Sequence, residues 1–290
     1  MLETIFEGMV RHFLEGMFNM MDPLVTDDIA FGSFQDNMGA LLVFIRAVHH
    51  SATGPIGYSI LGFCVLLALY DKLAGNAELK AGDKSIETII LTLIMFVALK
   101  VIIDKACDML LIFDGLTDFA RVRIFQTEFS IHSWESKQSV DQLMEMMREG
   151  GGAYINFIPI ILIGWLAALI AFLVAKVVLL SRFLEMAIYL AFAPIPLAML
   201  AHEQTREFGK GYIINFASVS LQAAVMMFLM KAYPYIMGSI LFQGVSGTQN
   251  MATAANQVTS FMMEPIIYSV VFIMAVLGIS ALTRRVLGRG

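Results

Sequence analysis

Hydrophobic positions in this chain gather in long uninterrupted runs instead of the alternating or one-face patterns of a soluble core. Residues 150–175 form a stretch of 26 residues without a charge, longer than the roughly 20 that cross a bilayer as a helix. They predict a span over Ala153–Leu180. A second apolar run follows, but it reaches only 16 residues between Glu185 and His202 and contains Pro194 and Pro196. Backbone interrupted in this way survives at membrane depth only when it is buried in protein or lines a wet cavity. Segment 182–210 is therefore expected to be a broken or re-entrant element. Further spans are predicted at Ser51–Tyr70, at Ile86–Ile103 with Glu87 and Lys100 near its ends, at Tyr212–Leu241 with a bend near Pro234, and at Phe261–Leu282. The expected fold class is all-α: a polytopic membrane protein with about five transmembrane helices, one broken or re-entrant helix and an amphipathic extracytoplasmic loop.

Two stretches are more polar. In residues 1–20, Ile5, Met9, Phe13, Leu14, Met17 and Phe18 recur at helical spacing, and Glu3 and Glu7 stand where a signal peptide would be basic. This predicts an amphipathic helix lying on a membrane, on a partner or on the protein's own spans. The segment 104–152 carries nine acidic and five basic residues. Within it Ser139 and Gln142 have the spacing of a capping box, followed by Val140, Leu143, Met144 and Met147 on one face. The expected organisation is an N-terminal amphipathic tail, 1–50, and a polytopic domain, 51–290, that contains the loop 104–152 and the broken element 182–210.

Positive charges set the expected orientation. If the broken element dips in and returns, ten lysines and arginines lie inside and seven outside; if it crosses, five of the ten move out. The first arrangement obeys the positive-inside rule. It puts the N-terminus outside and the C-terminus, with Arg284, Arg285 and Arg289, in the cytoplasm.

Composition adds that most of the chain belongs in lipid: 58% of residues are hydrophobic and only 15% charged, against about 25% charged in soluble domains. A net charge of −5 excludes a generally basic, nucleic-acid-coating surface. Cys64 and Cys107 lack metal or disulfide spacing and read as small buried hydrophobes. The sequence Gly82-Asp83-Lys84-Ser85 lacks the upstream glycine of a phosphate-binding loop. His49-His50 and His132 with Trp134 are too sparse for a catalytic or metal constellation. No enzyme activity and no cofactor are expected.

Helix packing and buried charge carry more information. Ala167, Ala171 and Ala175, and likewise Gly164 with Ala168, form stripes of small residues that let a neighbouring helix approach closely. Lys231 is the deepest charge, and burying it in lipid costs about 2.5–3.5 kcal/mol. It either lines a hydrated path or snorkels to the interface. Arg182 with Glu185, and Glu203, Arg206, Glu207 and Lys210, stand at spacings that allow charge ladders along a helix.

The run Leu180-Ser181-Arg182-Phe183-Leu184-Glu185, then Leu190-Ala191-Phe192-Ala193-Pro194-Ile195-Pro196, then Glu203-Gln204-Thr205-Arg206-Glu207-Phe208-Gly209-Lys210 resembles the polytopic inner-membrane subunit of conjugative type IV secretion systems, the TrbL/VirB-type family. The resemblance singles out Arg182, Glu185, Pro194, Pro196, Glu203, Thr205, Arg206 and Phe208. It implies a non-enzymatic scaffold or channel subunit of the bacterial inner membrane. Such a subunit would assemble with itself and with other secretion membrane subunits and ATPases, in the lipid bilayer, and touch the DNA–protein substrate transiently. The alternative from another class is a small transporter or channel unrelated to secretion, which would show an internal repeat or paired broken helices.

Overall fold

The computed structural model describes residues 2–19, 32–75, 83–127, 144, 154–243 and 251–287. The described residues form helices α1 (Leu2–Asn19), α2 (Phe34–Asn37), α3 (Gly39–Val48), α4 (Gly54–Gly75), α5 (Asp83–Asp104), α6 (Ala106–Gln126), α7 (Tyr154–Phe192), α8 (Pro194–Ala198), α9 (Arg206–Gln243) and α10 (Met251–Val286). A π-helical turn, His49–Thr53, joins α3 to α4, and a 3₁₀ turn, Met199–Ala201, follows α8. Among the described residues there is no strand. The fold is that of an all-α polytopic membrane protein.

Four stretches are long and apolar enough to cross a membrane: Gly39–Lys72, Ile158–Phe192, Arg206–Ala232 and Ile266–Val286. The expected span Ile86–Ile103 is helical within α5, whose Ile90, Leu91, Leu93, Ile94, Val97 and Val101 are all exposed. Such a face suits lipid and not water.

Three boundaries differ from the sequence reading. The first apolar helix begins at Gly39 and not Ser51. Residues 39–48 are apolar except for Arg46, and the π turn carries the helix past His49-His50 without ending it. Helix α7 continues through Arg182 and Glu185 to Phe192, so the break occupies 193–205 and not 182–210. The loop expected at 104–152 opens with a full helix, α6, one residue after α5. The capping box Ser139/Gln142 lies outside the described residues; of its apolar face, Met144 is described and is buried.

The chain divides into two compact units. The first comprises Met1–Phe31, Ala120–Leu180 and Ala223–Ile279, and the second Gly32–Phe119, Ser181–Gln222 and Ser280–Gly290. In the first unit the small-residue stripe of α7 is buried: Ala171 and Ala175 are 0% exposed and pack with Met226, Met227 and Met230 of α9 and Phe272, Val276 and Ile279 of α10. Alanine lets the neighbouring backbones come close, and unbranched methionine fills the irregular gaps. In the same unit Phe13 of α1 meets Trp165 of α7 edge-on, 5.6 Å between ring centres, so the amphipathic helix packs on one of the protein's own spans.

The second unit is built around Phe34, Ile45, Leu61, Ile103, Phe183, Leu190 and Phe216. Its α9 and α10 are joined by the Ser218 hydroxyl, which donates to Thr283 Oγ1 at 2.9 Å.

Candidate functional site

All of the candidate site belongs to the second unit, and it starts from what proline does to a helix. Proline has no N–H to give to the carbonyl four residues back, and its ring crowds that carbonyl. Pro194 therefore ends α7 and opens α8, where a first-turn proline is well placed. Pro194 and Pro196 remove the N–H groups four residues after Leu190 and Phe192, so those carbonyls lose their helical donors, and in a membrane no water replaces them.

Side chains from three other elements donate to the carbonyls at this end of α7. The Tyr212 hydroxyl of α9 donates to Tyr189 O. The Cys107 thiol of α6 donates to Leu190 O at 3.5 Å. The Thr53 hydroxyl, from the π turn, donates to Ala191 O at 2.7 Å. Three consecutive carbonyls are thus each served by a different helix or turn. His49, one turn before Thr53, is buried with Nδ1 3.6 Å from Cys107 Sγ. Burial pushes the Cys107 thiol up to about 11, so it stays protonated and able to donate.

Two glycines complete the cradle. A Cβ on Gly57 of α4 would lie 2.7 Å from Pro194 Cβ and 2.9 Å from Pro194 O. One on Gly209 of α9 would lie 2.6 Å from the Leu200 side chain and 2.7 Å from Pro196 O. Both helices touch the break at positions where only glycine fits.

The far side of the break is tied by Thr205 and His202. The Thr205 hydroxyl donates to Met199 O at 2.7 Å, and the Thr205 carbonyl accepts from Phe208 N at 3.0 Å, starting α9. His202 is buried. Its Nδ1 accepts from Gln204 N at 3.3 Å, which leaves the proton on Nε2 for Asp71 Oδ2 at 3.0 Å.

Arg182 and Glu185 lie upstream in α7. Arg182 is 2% exposed; its Nη2 donates to Gly32 O at 3.2 Å and its guanidinium stacks 4.6 Å from the centre of the Phe183 ring. No ion pair joins it to Glu185. Beside it, Asp114 of α6 is also 2% exposed, and its Oδ2 accepts from Phe34 N at 2.6 Å. Burial raises the Asp114 pKa, against the opposing effects of the Phe34 N–H and the Arg182 charge. Of the second charge ladder, the ion pair between Lys210 and Glu207 forms, at 2.8 Å. Glu203, Arg206 and Phe208 are exposed, Phe208 to 69%.

The other sequence-predicted residues lie in the first unit. Gly164, Ala168, Ala171 and Ala175 are buried along one face of α7, and Ala167 is half-buried. The half-buried Lys231 donates from Nζ to Phe125 O and, at 3.4 Å, to Thr127 O, and its ammonium lies 5.0 Å from the centre of the Phe125 ring. Its charge meets the carbonyl end of α6, where the helix dipole favours a cation. Thr53, Gly57, Cys107 and Tyr212 had no sequence signal beyond their residue types. Among the described residues no group of three His, Cys, Asp or Glu side chains could hold a metal ion.

Long apolar helices around a proline break define a multi-pass membrane protein with a built discontinuity. The family model of the TrbL/VirB6 plasmid conjugal transfer protein matches residues 126–279, more than half of the 290-residue chain. The chain belongs to that family and is a multi-pass inner-membrane component of conjugal transfer, or type IV secretion, machinery. Among curated proteins none matches it.

Proposed function

We propose that the chain is a non-enzymatic scaffold or channel subunit, assembled with copies of itself and with other secretion components around the route of a DNA–protein substrate. One observation carries this reading. The matched region 126–279 contains the break 193–205 and both long helices that flank it. A discontinuity served by side chains of three elements and contacted at two glycines is an expensive feature for a simple anchor to keep, and it suits a subunit that shapes a passage. In this reading Arg182, Glu185, Pro194, Pro196, Glu203, Thr205, Arg206 and Phe208 form the working segment. The N-terminal tail ahead of Gly39 and the loop that follows α5 face outside, and the C-terminus faces the cytoplasm.

Complementation of a deletion strain in a mating assay tests the role. Gly57→Leu and Gly209→Leu should abolish transfer with the protein still in the membrane, whereas Gly62→Ala, whose Cβ meets nothing within 4 Å, should complement. Complementation by all three would overturn it. Orientation is tested by cysteine labelling in intact cells: a membrane-impermeant reagent should reach a cysteine at Ser130 and not one at Gly290. The reverse pattern would refute the assignment.

A further inference from the structure

Lys100 of α5 is exposed beside the exposed, apolar Val97 and Val101 and the half-buried Phe96. An ammonium on a lipid-facing surface needs an anion close by, yet Lys100 forms no ion pair or hydrogen bond with another described residue. It lines a cleft of about 500 Å³ together with Tyr58, Leu61, Phe96 and Asp104. Asp104 stands one turn further along, about 6 Å up the axis. Its Oδ1 accepts from the Tyr58 hydroxyl, and Oδ2 has no partner among the described residues. The nearby Arg46 is already engaged, 2.8 Å from Asp108. The cleft therefore offers one unmatched cation, one half-used carboxylate and an apolar wall.

We propose that this cleft binds a phospholipid with a primary-amine zwitterionic headgroup, of the phosphatidylethanolamine class. Lys100 holds the phosphate, Asp104 Oδ2 accepts from the headgroup ammonium, and Leu61 and Phe96 carry the start of an acyl chain. The pairing selects among lipids. A choline headgroup has no N–H to give to Asp104, and a glycerol headgroup offers it only neutral hydroxyls, so with Lys100 paired to the phosphate the carboxylate keeps an uncompensated charge.

Native mass spectrometry of the full chain, released from detergent and titrated with phosphatidylethanolamine, phosphatidylcholine or phosphatidylglycerol, tests this. Phosphatidylethanolamine should be retained over the other two. Lys100→Gln should lower its retention about tenfold, the loss expected for one charge-assisted hydrogen bond, and Lys100→Arg should restore it. Asp104→Asn should remove the preference over phosphatidylglycerol, and soluble phosphorylethanolamine should not displace the lipid. Equal retention of the ethanolamine and choline lipids, or wild-type retention by Lys100→Gln, would overturn the proposal, as would displacement by the soluble headgroup.

Discussion

The two parts of helix α7 are built on opposite principles. Its earlier part, in the first unit, buries Ala171 and Ala175 against methionines and a phenylalanine, so specificity there is a matter of volume. Its later part, in the second unit, ends at a proline and hands three carbonyls to Tyr212, Cys107 and Thr53, so specificity there is a matter of hydrogen bonding and of glycine clearance. Small residues mark close approach in both places, but alanine against flexible methionine can yield where glycine against a proline cannot. Changes of size should therefore be tolerated unequally, and loss of a polar group should matter only at the break.

The largest effect is expected from Gly57→Ala. Its Cβ meets proline ring and backbone that cannot rotate away, and the cost should be about 3 kcal/mol or more, at or above the upper range for overpacking. Gly62→Ala on the same helix meets nothing within 4 Å and should gain about 0.5–1 kcal/mol from helix propensity. Thermal unfolding in mild detergent measures both, and equal shifts would erase the contrast. Next comes Ala171→Leu, for which about 1–3 kcal/mol is expected, toward the lower end because Met226, Met227 and Met230 can repack. If that variant proves more damaging than Gly57→Ala, the ranking of the two regions is reversed.

Removing one donor at the break should cost about 1–3 kcal/mol, because a hydrogen bond to a carbonyl at the end of α7 is lost inside the protein. Tyr212→Phe and Thr53→Val should show this, and Cys107→Ala less, since a thiol is the weaker donor. Denaturation midpoints unchanged in all three would mean that these side-chain hydrogen bonds contribute nothing to stability. The smallest effect is a pH dependence at Asp114. Its pKa is raised in the folded protein, so its contribution to stability is complete below the unfolded value of about 3.9. That contribution is lost as the pH rises toward the folded pKa. The stability of the protein relative to its Asp114→Asn variant should fall with rising pH in paired unfolding experiments, and a flat or rising difference would contradict the burial of that carboxyl.

How far residues alone foretold this architecture follows the same division. The alanine stripe and the two prolines were legible because small-residue spacing and the missing N–H act through local chain geometry. The start of the break was misread at Arg182, since a charged pair looks like the end of an apolar helix. That arginine is instead buried beside Asp114 and Gly32, residues distant in sequence. Thr53 and Cys107 lie 138 and 83 residues from the carbonyls they serve. A single threonine or cysteine in an apolar run carries no mark of such a partner, and Cys107 read as a plain small hydrophobe. The π turn that aims His49 and Thr53 at the break likewise has no sequence pattern of its own.

The central claim is that the discontinuity at Pro194 and Pro196 is needed for transfer. Replacing both with alanine restores the backbone donors and removes a penalty of about 3 kcal/mol per interior proline, so the helix should run on. The direct test is the transfer frequency of the Pro194→Ala, Pro196→Ala double variant at matched membrane levels. The account predicts that transfer is lost while the protein remains inserted, and transfer at the wild-type rate would contradict it.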